Sequence, residues 1–301
     1  RRGYPEIMAL GSLAGAGTLG LLIPPSIIMI VYGVSADVSI SQLFIGGMIP
    51  GVLLALIFSA YIAFWSLTHK AQIPPADAPM AFRKKLHESR HLIPVVLLIA
   101  AVLGSIYTGI ATATEAAALG VVGSLILLVL QGSMSWQTFK ESLMGGTRLY
   151  CMIALILSGA AFLTLSMGYI GLPRHLAEWI GGLALTKFQL IMALTAFYVV
   201  LGCFLDGISM VVLTMGVILP TVQKAGIDTL WFGIFVVVVV EMAQVTPPVG
   251  FNLFVLQGMT KREMGYISRA AVPFFLLMVL MVVLLYAFPQ IVTMLPNHMR
   301  R

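Results

Sequence analysis

Two diproline breaks, Leu22-Ile23-Pro24-Pro25-Ser26 and Val245-Thr246-Pro247-Pro248-Val249-Gly250, each interrupt a stretch apolar enough to cross a membrane. Proline lacks an N–H, and its ring clashes with the carbonyl one turn earlier, so a pair of prolines ends a helical ladder and strips preceding carbonyls of their donors. In hydrocarbon such orphans are costly, so a break of this kind lines a cavity, pairs with neighbouring protein groups or holds a cation. Sliding the sequence by 223 residues carries Pro24 and Pro25 onto Pro247 and Pro248, Gly3 onto Gly226 and Pro50 onto Pro273. The chain therefore reads as an internal repeat. Gly/Pro-interrupted apolar segments at matching positions of two halves point to the binding site of a secondary transporter. A packed kink satisfied by neighbouring helices is the competing reading for either break alone.

Of 301 residues, 60% are hydrophobic and 9% charged, and the mean hydropathy is +1.03. A soluble domain carries about a quarter charged residues, so this is an all-α polytopic membrane protein. Apolar runs long enough to span cover 6–34, 43–67, 92–110, 114–130, 149–167, 188–220, 231–259 and 270–296. The net charge of +6 does not make a nucleic-acid surface, because the basic residues sit in loops between spans. They encode orientation instead. Lys70, Arg83, Lys84, Lys85 and Arg90 fill the long polar loop 68–91, which the positive-inside rule places in the cytoplasm. Counting crossings from there adds Arg1, Arg2, Lys140, Arg148, Lys261, Arg262 and Arg269 to that side, and leaves Arg174, Lys187, Lys224, Arg300 and Arg301 outside.

On this count the first break runs outward and the second inward, the inverted-topology arrangement of alternating-access carriers. The stretch 188–220 enters and returns around the polar tip Asp206-Gly207-Ile208-Ser209, and its second arm is short for a full crossing, so it reads as a re-entrant hairpin. Residues 1–67 hold the end of the first repeat: a broken helix over 6–34, then a span over 43–67. Residues 68–91 are a cytoplasmic loop with a proline-rich linker at 73–79, and 92–187 are connecting or scaffold helices, with an interfacial helix over 168–187. Residues 188–301 are the second repeat: hairpin 188–220, broken helix 231–259 and span 270–296.

Carbonyls with a few hydroxyls suit a hard ion such as sodium. Ser26, Thr246, Asn252 and the Gln244 amide supply nearby side-chain oxygens. Asp206, between apolar half-segments, fits three roles: cation contact, N-cap of the following helix, or proton relay. Glu241, after five valines, and Glu115 raise the same question more weakly. Cys151 and Cys203 read as packing residues, and no nucleophile elbow, phosphate loop or zinc spacing is present.

Six blocks together resemble the large membrane subunit of tripartite ATP-independent periplasmic (TRAP) transporters. They are Arg2-Gly3-Tyr4; Gly17 through Ser26; Leu43-Phe44 with Pro50-Gly51; Thr112-Ala113-Thr114-Glu115-Ala116-Ala117-Ala118; Gly202-Cys203-Phe204-Leu205-Asp206; and Thr246 through Val255. They stand in the family's order over nearly the whole chain. The resemblance implies a bacterial inner-membrane subunit with an elevator-type inverted-repeat fold. It implies sodium (Na+) as coupling ion, uptake of an organic acid delivered by a periplasmic substrate-binding protein, and a small four-helix membrane subunit as partner. By motif, one sodium site takes Gly202, Ala243, Thr246 and Val249, largely through carbonyls. The other takes Gly20, Ile23 and Ser26 with a serine-rich hairpin that this sequence lacks, as though it were the C-terminal two thirds of such a subunit. Pro24, Pro25, Asp206, Gly207, Ser209, Gln244, Pro247 and Asn252 complete the expected sodium and substrate locus. The alternatives are a divalent-anion/sodium symporter working without a binding protein, and a non-transporting membrane scaffold. No enzyme chemistry is expected.

Overall fold

The computed structural model describes residues 3–74, 84, 89–183, 185–248 and 250–298. Arg1, Arg2, Arg83, Lys85, Arg300 and Arg301 of the charge reading, His87, linker residues 75–79 and the expected ligand Val249 lie outside the described residues. Those described form thirteen α-helices and no strand. In order they are α1 Glu6–Leu22, α2 Ile27–Ala36, α3 Ile40–Thr68, α4 Ile93–Tyr107, α5 Ala113–Leu130, α6 Trp136–Ile170, α7 Leu172–Gly182, α8 Lys187–Gly202, α9 Gly207–Lys224, α10 Thr229–Gln244, α11 Phe251–Thr260, α12 Met264–Ala287 and α13 Gln290–Asn297. Five are long and apolar enough to cross a membrane, and α1 with α2, bent by 43° at the break between them, meets the same length and composition as a pair.

Both expected breaks are present. α1 ends at Leu22 and α2 restarts at Ile27; α10 ends at Gln244 and α11 restarts at Phe251. The halves match in detail. Gly3 and Gly226, which the repeat superimposes, both have positive φ (79° and 66°), and α2 and α11, each ten residues long, both end on a left-handed residue, Asp37 or Lys261. Each is followed by a long helix carrying an internal proline, Pro50 in α3 and Pro273 in α12. The Pro24–Pro25 and Pro247–Pro248 peptide bonds are both cis.

The chain forms two compact units. One comprises Arg1–Ile73 and Ile156–Asn297, the other Pro74–Leu155 and His298–Arg301. At the centre of the first lies α10, in which every residue from Trp231 to Ala243 is buried. A helix apolar on every face is stable only when wrapped on every face, which overrides the modest helix preference of its valine run. α1, α2, α3, α8, α9 and α12 all pack against it. The Tyr32 hydroxyl donates to the Thr229 carbonyl (2.7 Å), and the Trp231 indole N–H donates to the Leu285 carbonyl (3.0 Å).

In the second unit α4 and α5 form an antiparallel pair, with Gly120 facing Val102 and Gly123 facing Leu98. The turn between them is closed by a capping box in which Thr112 and Glu115 cap each other, so Glu115 serves the helix start. Most apolar side chains on α5 and along α6 are exposed.

Three sequence expectations are corrected. The helix expected at 149–167 begins at Trp136, because the polar turn through Lys140 and Glu141 continues the helix past Gly145 and Gly146. The single span expected at 270–296 is two helices, since Pro289 follows the end of α12 and cannot extend its ladder. Cys151 is exposed on α6.

Candidate functional site

The hairpin tip brings both breaks together. α8 ends at Gly202, residues 203–206 turn, and α9 starts at Gly207. A Cβ on Gly207 would stand 2.6 Å from Val240 Cγ1, 3.2 Å from Ile28 Cδ1 and 3.6 Å from Gln244 Nε2. Ile28 opens α2 just after the first break, and Val240 and Gln244 close α10 just before the second. Gly202 packs directly on Ala243, where an added methyl would overlap the alanine side chain and crowd Met210 Sδ. Two of the expected ligands of one sodium site are thus in contact.

The hydrogen bonds decide what the breaks offer. At the first, Ile23 N–H donates to Leu19 O and Ile30 N–H to Ser26 O, while the carbonyls of Gly20, Leu21 and Leu22 accept from no described group: Pro24 and Pro25 have no N–H to give the first two, and the chain turns at Ser26 before it could serve the third. Ser26 is buried and its Oγ accepts from Met29 N–H (3.4 Å) as the N-cap of α2. Ile23 is 41% exposed, and no atom lies within 4 Å of a Cβ placed on Gly20. Pro24 is buried and Pro25 exposed.

At the second break Thr246 N–H donates to Ala243 O (3.1 Å), and the Thr246 hydroxyl donates to Met242 O (2.7 Å), leaving its lone pairs free. The Gly202 carbonyl receives no hydrogen bond from any described group. Gly250 closes the turn so tightly that a Cβ would lie 2.7 Å from Gln244 O and 2.8 Å from Thr246 O. Pro247 is exposed.

Asp206 is the N-cap of α9. Its carboxylate accepts from Ile208 N–H (3.0 Å), Ser209 N–H (3.2 Å) and the Ser209 hydroxyl (2.5 Å). Of the three roles its place in the sequence allows, the cap is the one its geometry shows, and Ser209 is spent on it. Asn252 lies apart from the tip, at the start of α11 against Gly17 of α1, and its Nδ2 is buried with no acceptor. The donor set around the breaks is neutral oxygen, suited to a hard cation. Among the described residues no group of three His, Cys, Asp or Glu gathers.

Two features are faint or absent in the sequence. Glu241, a weak candidate from its position alone, has no exposed surface and no partner for either carboxyl oxygen. A cavity of about 800 Å³ lies away from the breaks, lined by Val34, Ser35, Thr164, Tyr169, Met215 and Gly216 among others. Its lining residues come from three helices distant in sequence and form no motif. Elsewhere, α7 carries an exposed Arg174–Glu178 ion pair (2.9 Å), which holds the Glu178 carboxyl below the usual carboxylate range. Arg262 grips Glu6 with two bonds of 2.6 and 2.7 Å, tying the start of α1 to the segment between α11 and α12.

Broken helices at repeat-related positions beside a hairpin tip, in an all-α chain with several helices long and apolar enough to cross a membrane, define a multi-pass α-helical membrane protein. The model of the tripartite ATP-independent periplasmic transporter, DctM component, matches residues 1–291. Among curated proteins, the C4-dicarboxylate TRAP transporter large permease protein DctM of Pseudomonas aeruginosa is 32% identical over 298 residues, covering 99% of this chain and 69% of that protein. The isethionate TRAP transporter permease protein DctMQ of Oleidesulfovibrio alaskensis is 32% identical over 292 residues, 96% of this chain and 46% of that one. The ectoine/5-hydroxyectoine large permease protein UehC of Ruegeria pomeroyi is 28% identical, over 97% of this chain and 68% of that one. This chain belongs to the DctM family of TRAP transporter large permeases.

Proposed function

We propose that the chain is part of a sodium-coupled importer of a small organic acid in the bacterial inner membrane. The acid is delivered by a periplasmic substrate-binding protein, and a small membrane subunit completes the complex. The carrying observation is the meeting of both breaks with the hairpin tip at Gly207, which stands against Ile28 just after the first break and Val240 and Gln244 just before the second, while the Gly202 end of the hairpin packs on Ala243. Carbonyls that receive no hydrogen bond from any described group lie at Gly20 to Leu22 and at Gly202, and the Thr246 hydroxyl donates to Met242 O. Such oxygens are too costly to leave bare at mid-depth, and a cation satisfies them. Gly202, Ala243, Thr246 and Val249 form one sodium site, and Gly20, Ile23 and Ser26 contribute to the other. Bound cations and the N-termini of α2 and α11 favour an anionic substrate between the breaks, with the unpartnered Asn252 amide as a donor to its oxygens. The exposed apolar faces of α5 and α6 suit lipid and the partner subunit. Alternating access follows from an elevator-like motion of the break-bearing part.

Reconstitution of the full-length complex tests this reading. Uptake of a C4-dicarboxylate, sialic acid, isethionate or ectoine panel is expected only with an inward sodium gradient and the cognate binding protein. Uptake that survives removal of the binding protein would favour the symporter alternative, and uptake indifferent to sodium would reject sodium coupling.

A further inference from the structure

α6 and α9 run side by side in one register. A Cβ on Gly216 would overlap the Thr164 side chain, so the helices are in direct contact there. Beside that contact, between α6 and the paired α2 and α9, lies the cavity of about 800 Å³, which Ala160 and Val212 line one turn before the contact. Its wall is built mainly by Val34, Leu157, Ala161, Leu165, Val212 and Met215; it carries no charge, and its hydroxyls belong to Ser35, Ser158, Thr164 and Tyr169. Gly168, one turn after the contact, lines it too. Gly168 and Pro220 also line a second cavity of about 370 Å³, so the two adjoin. The second one is charged. Arg174 and Glu178 of α7 and Lys224 at the end of α9 form its wall, and Lys224 Nζ stands 3.9 Å from where a Cβ on Gly181 would be. All of these residues belong to the first compact unit.

Arg174 binds Glu178 through Nε (2.9 Å), so with Lys224 the second cavity holds one positive charge in excess. From Val212 to Lys224, α9 rises about 18 Å at about 1.5 Å per residue, close to the depth of one leaflet with its headgroup zone. The exposed Trp179 on α7 suits that same zone. An uncharged apolar groove that ends in excess positive charge complements an amphiphile with an acidic head. A small polar acid would leave most of the apolar wall uncovered, and a neutral chain would leave the charge unanswered.

We propose that this groove binds an anionic phospholipid, with an acyl chain between α6 and α9 and the phosphodiester between Arg174 and Lys224. The lipid braces α9, the second arm of the hairpin, against α6. None of this depends on sodium coupling, since the groove lies along the hairpin arm and away from both breaks.

The test uses the purified, delipidated full-length complex, titrated with dioleoylphosphatidylglycerol or with the zwitterionic dioleoylphosphatidylcholine. Thermal unfolding reads the stabilisation, and native mass spectrometry counts the bound copies. The glycerol lipid is expected to bind about fivefold more tightly than the choline lipid and to raise the unfolding temperature further. Lys224→Gln is expected to remove that preference, and Ala161→Trp, which fills the groove, to remove the tightest bound copy. Equal binding of the two lipids by the wild-type complex overturns the acidic head, and a wild-type lipid response in either variant overturns the placement. If Ala161→Trp does not fold, cryo-electron microscopy of the wild-type complex in phosphatidylglycerol nanodiscs decides. A chain-shaped density between α6 and α9 with its head at Arg174 and Lys224 supports the site. Polypeptide filling the groove, or no density there, overturns it.

Discussion

Gly202 at the end of α8 lies against Ala243 at the end of α10 with no room for a methyl group between them. The hairpin tip is thereby seated on the second break, and the Gly202 carbonyl receives no hydrogen bond from any described group. Gly202→Ala is expected to destabilise by about 1–3 kcal/mol through overpacking and to weaken sodium-dependent uptake at least severalfold. Gly20→Ala, where a Cβ meets nothing within 4 Å, keeps its carbonyl and is expected to stay near wild type. Sodium titrations of uptake and thermal unfolding of the two variants check the contrast. Equal effects would place the close contact outside the ion site.

Thr246 and Ser209 are both hydroxyls near the tip, yet their protons go to different places. The Thr246 hydroxyl caps Met242 O and leaves its lone pairs open at the break, whereas the Ser209 hydroxyl is bound to the Asp206 carboxylate. Thr246→Ala is accordingly expected to raise the half-saturating sodium concentration, and Ser209→Ala to leave it unchanged. Indistinguishable sodium titrations would argue against an ion at the second break.

Asp206 acts on the fold through the start of α9. Losing an N-cap costs about 0.5–2 kcal/mol, and asparagine caps about as well as aspartate. Asp206→Ala is therefore expected to lower the unfolding temperature of the complex, with Asp206→Asn restoring it together with transport. An Asn variant that is stable but has lost sodium affinity would show that the charge, and not the cap, is what counts.

Much of this is legible in the sequence, and for a physical reason. A diproline inside an apolar run has one structural consequence, so both breaks follow from the chain alone. The second arm of the stretch around 206, expected to be short for a crossing, is instead the 18-residue α9, one of the five helices long and apolar enough to cross, because the helix continues through Pro220 to Lys224. The corrections fall where the cue is ambiguous. Lys140 and Glu141 look like a loop to a hydropathy window, but helices leave membranes without unwinding, and α6 does so. Pro289 follows an apolar run and ends it, while Pro50, Pro220 and Pro273 lie inside helices, a difference settled by packing. Glu241 is visible only as a charge after valines. Its isolation depends on which helix lies at the centre, and that is a property of the whole assembly.

The Arg174–Glu178 pair on α7 gives a pH prediction. Glu178 has a depressed carboxyl in the folded state, so its contribution is present above the ordinary carboxylate range and fades as pH falls through its lowered value. The protection of α7 amides, taken relative to the intrinsic exchange rate at each pH, is expected to fall on that acidification, and Arg174→Ala is expected to return the Glu178 titration, followed by ¹³C NMR, toward the ordinary carboxylate value. An unshifted titration in the variant would show that the pair does not hold the charge.

The most direct measurement is hydrogen–deuterium exchange of the complete complex in sodium and in choline. If both breaks and the hairpin tip surround bound ions, sodium slows exchange together in segments 17–30, 200–212 and 240–256. Slowing confined to one break, or absent from all three, would contradict a shared cation locus.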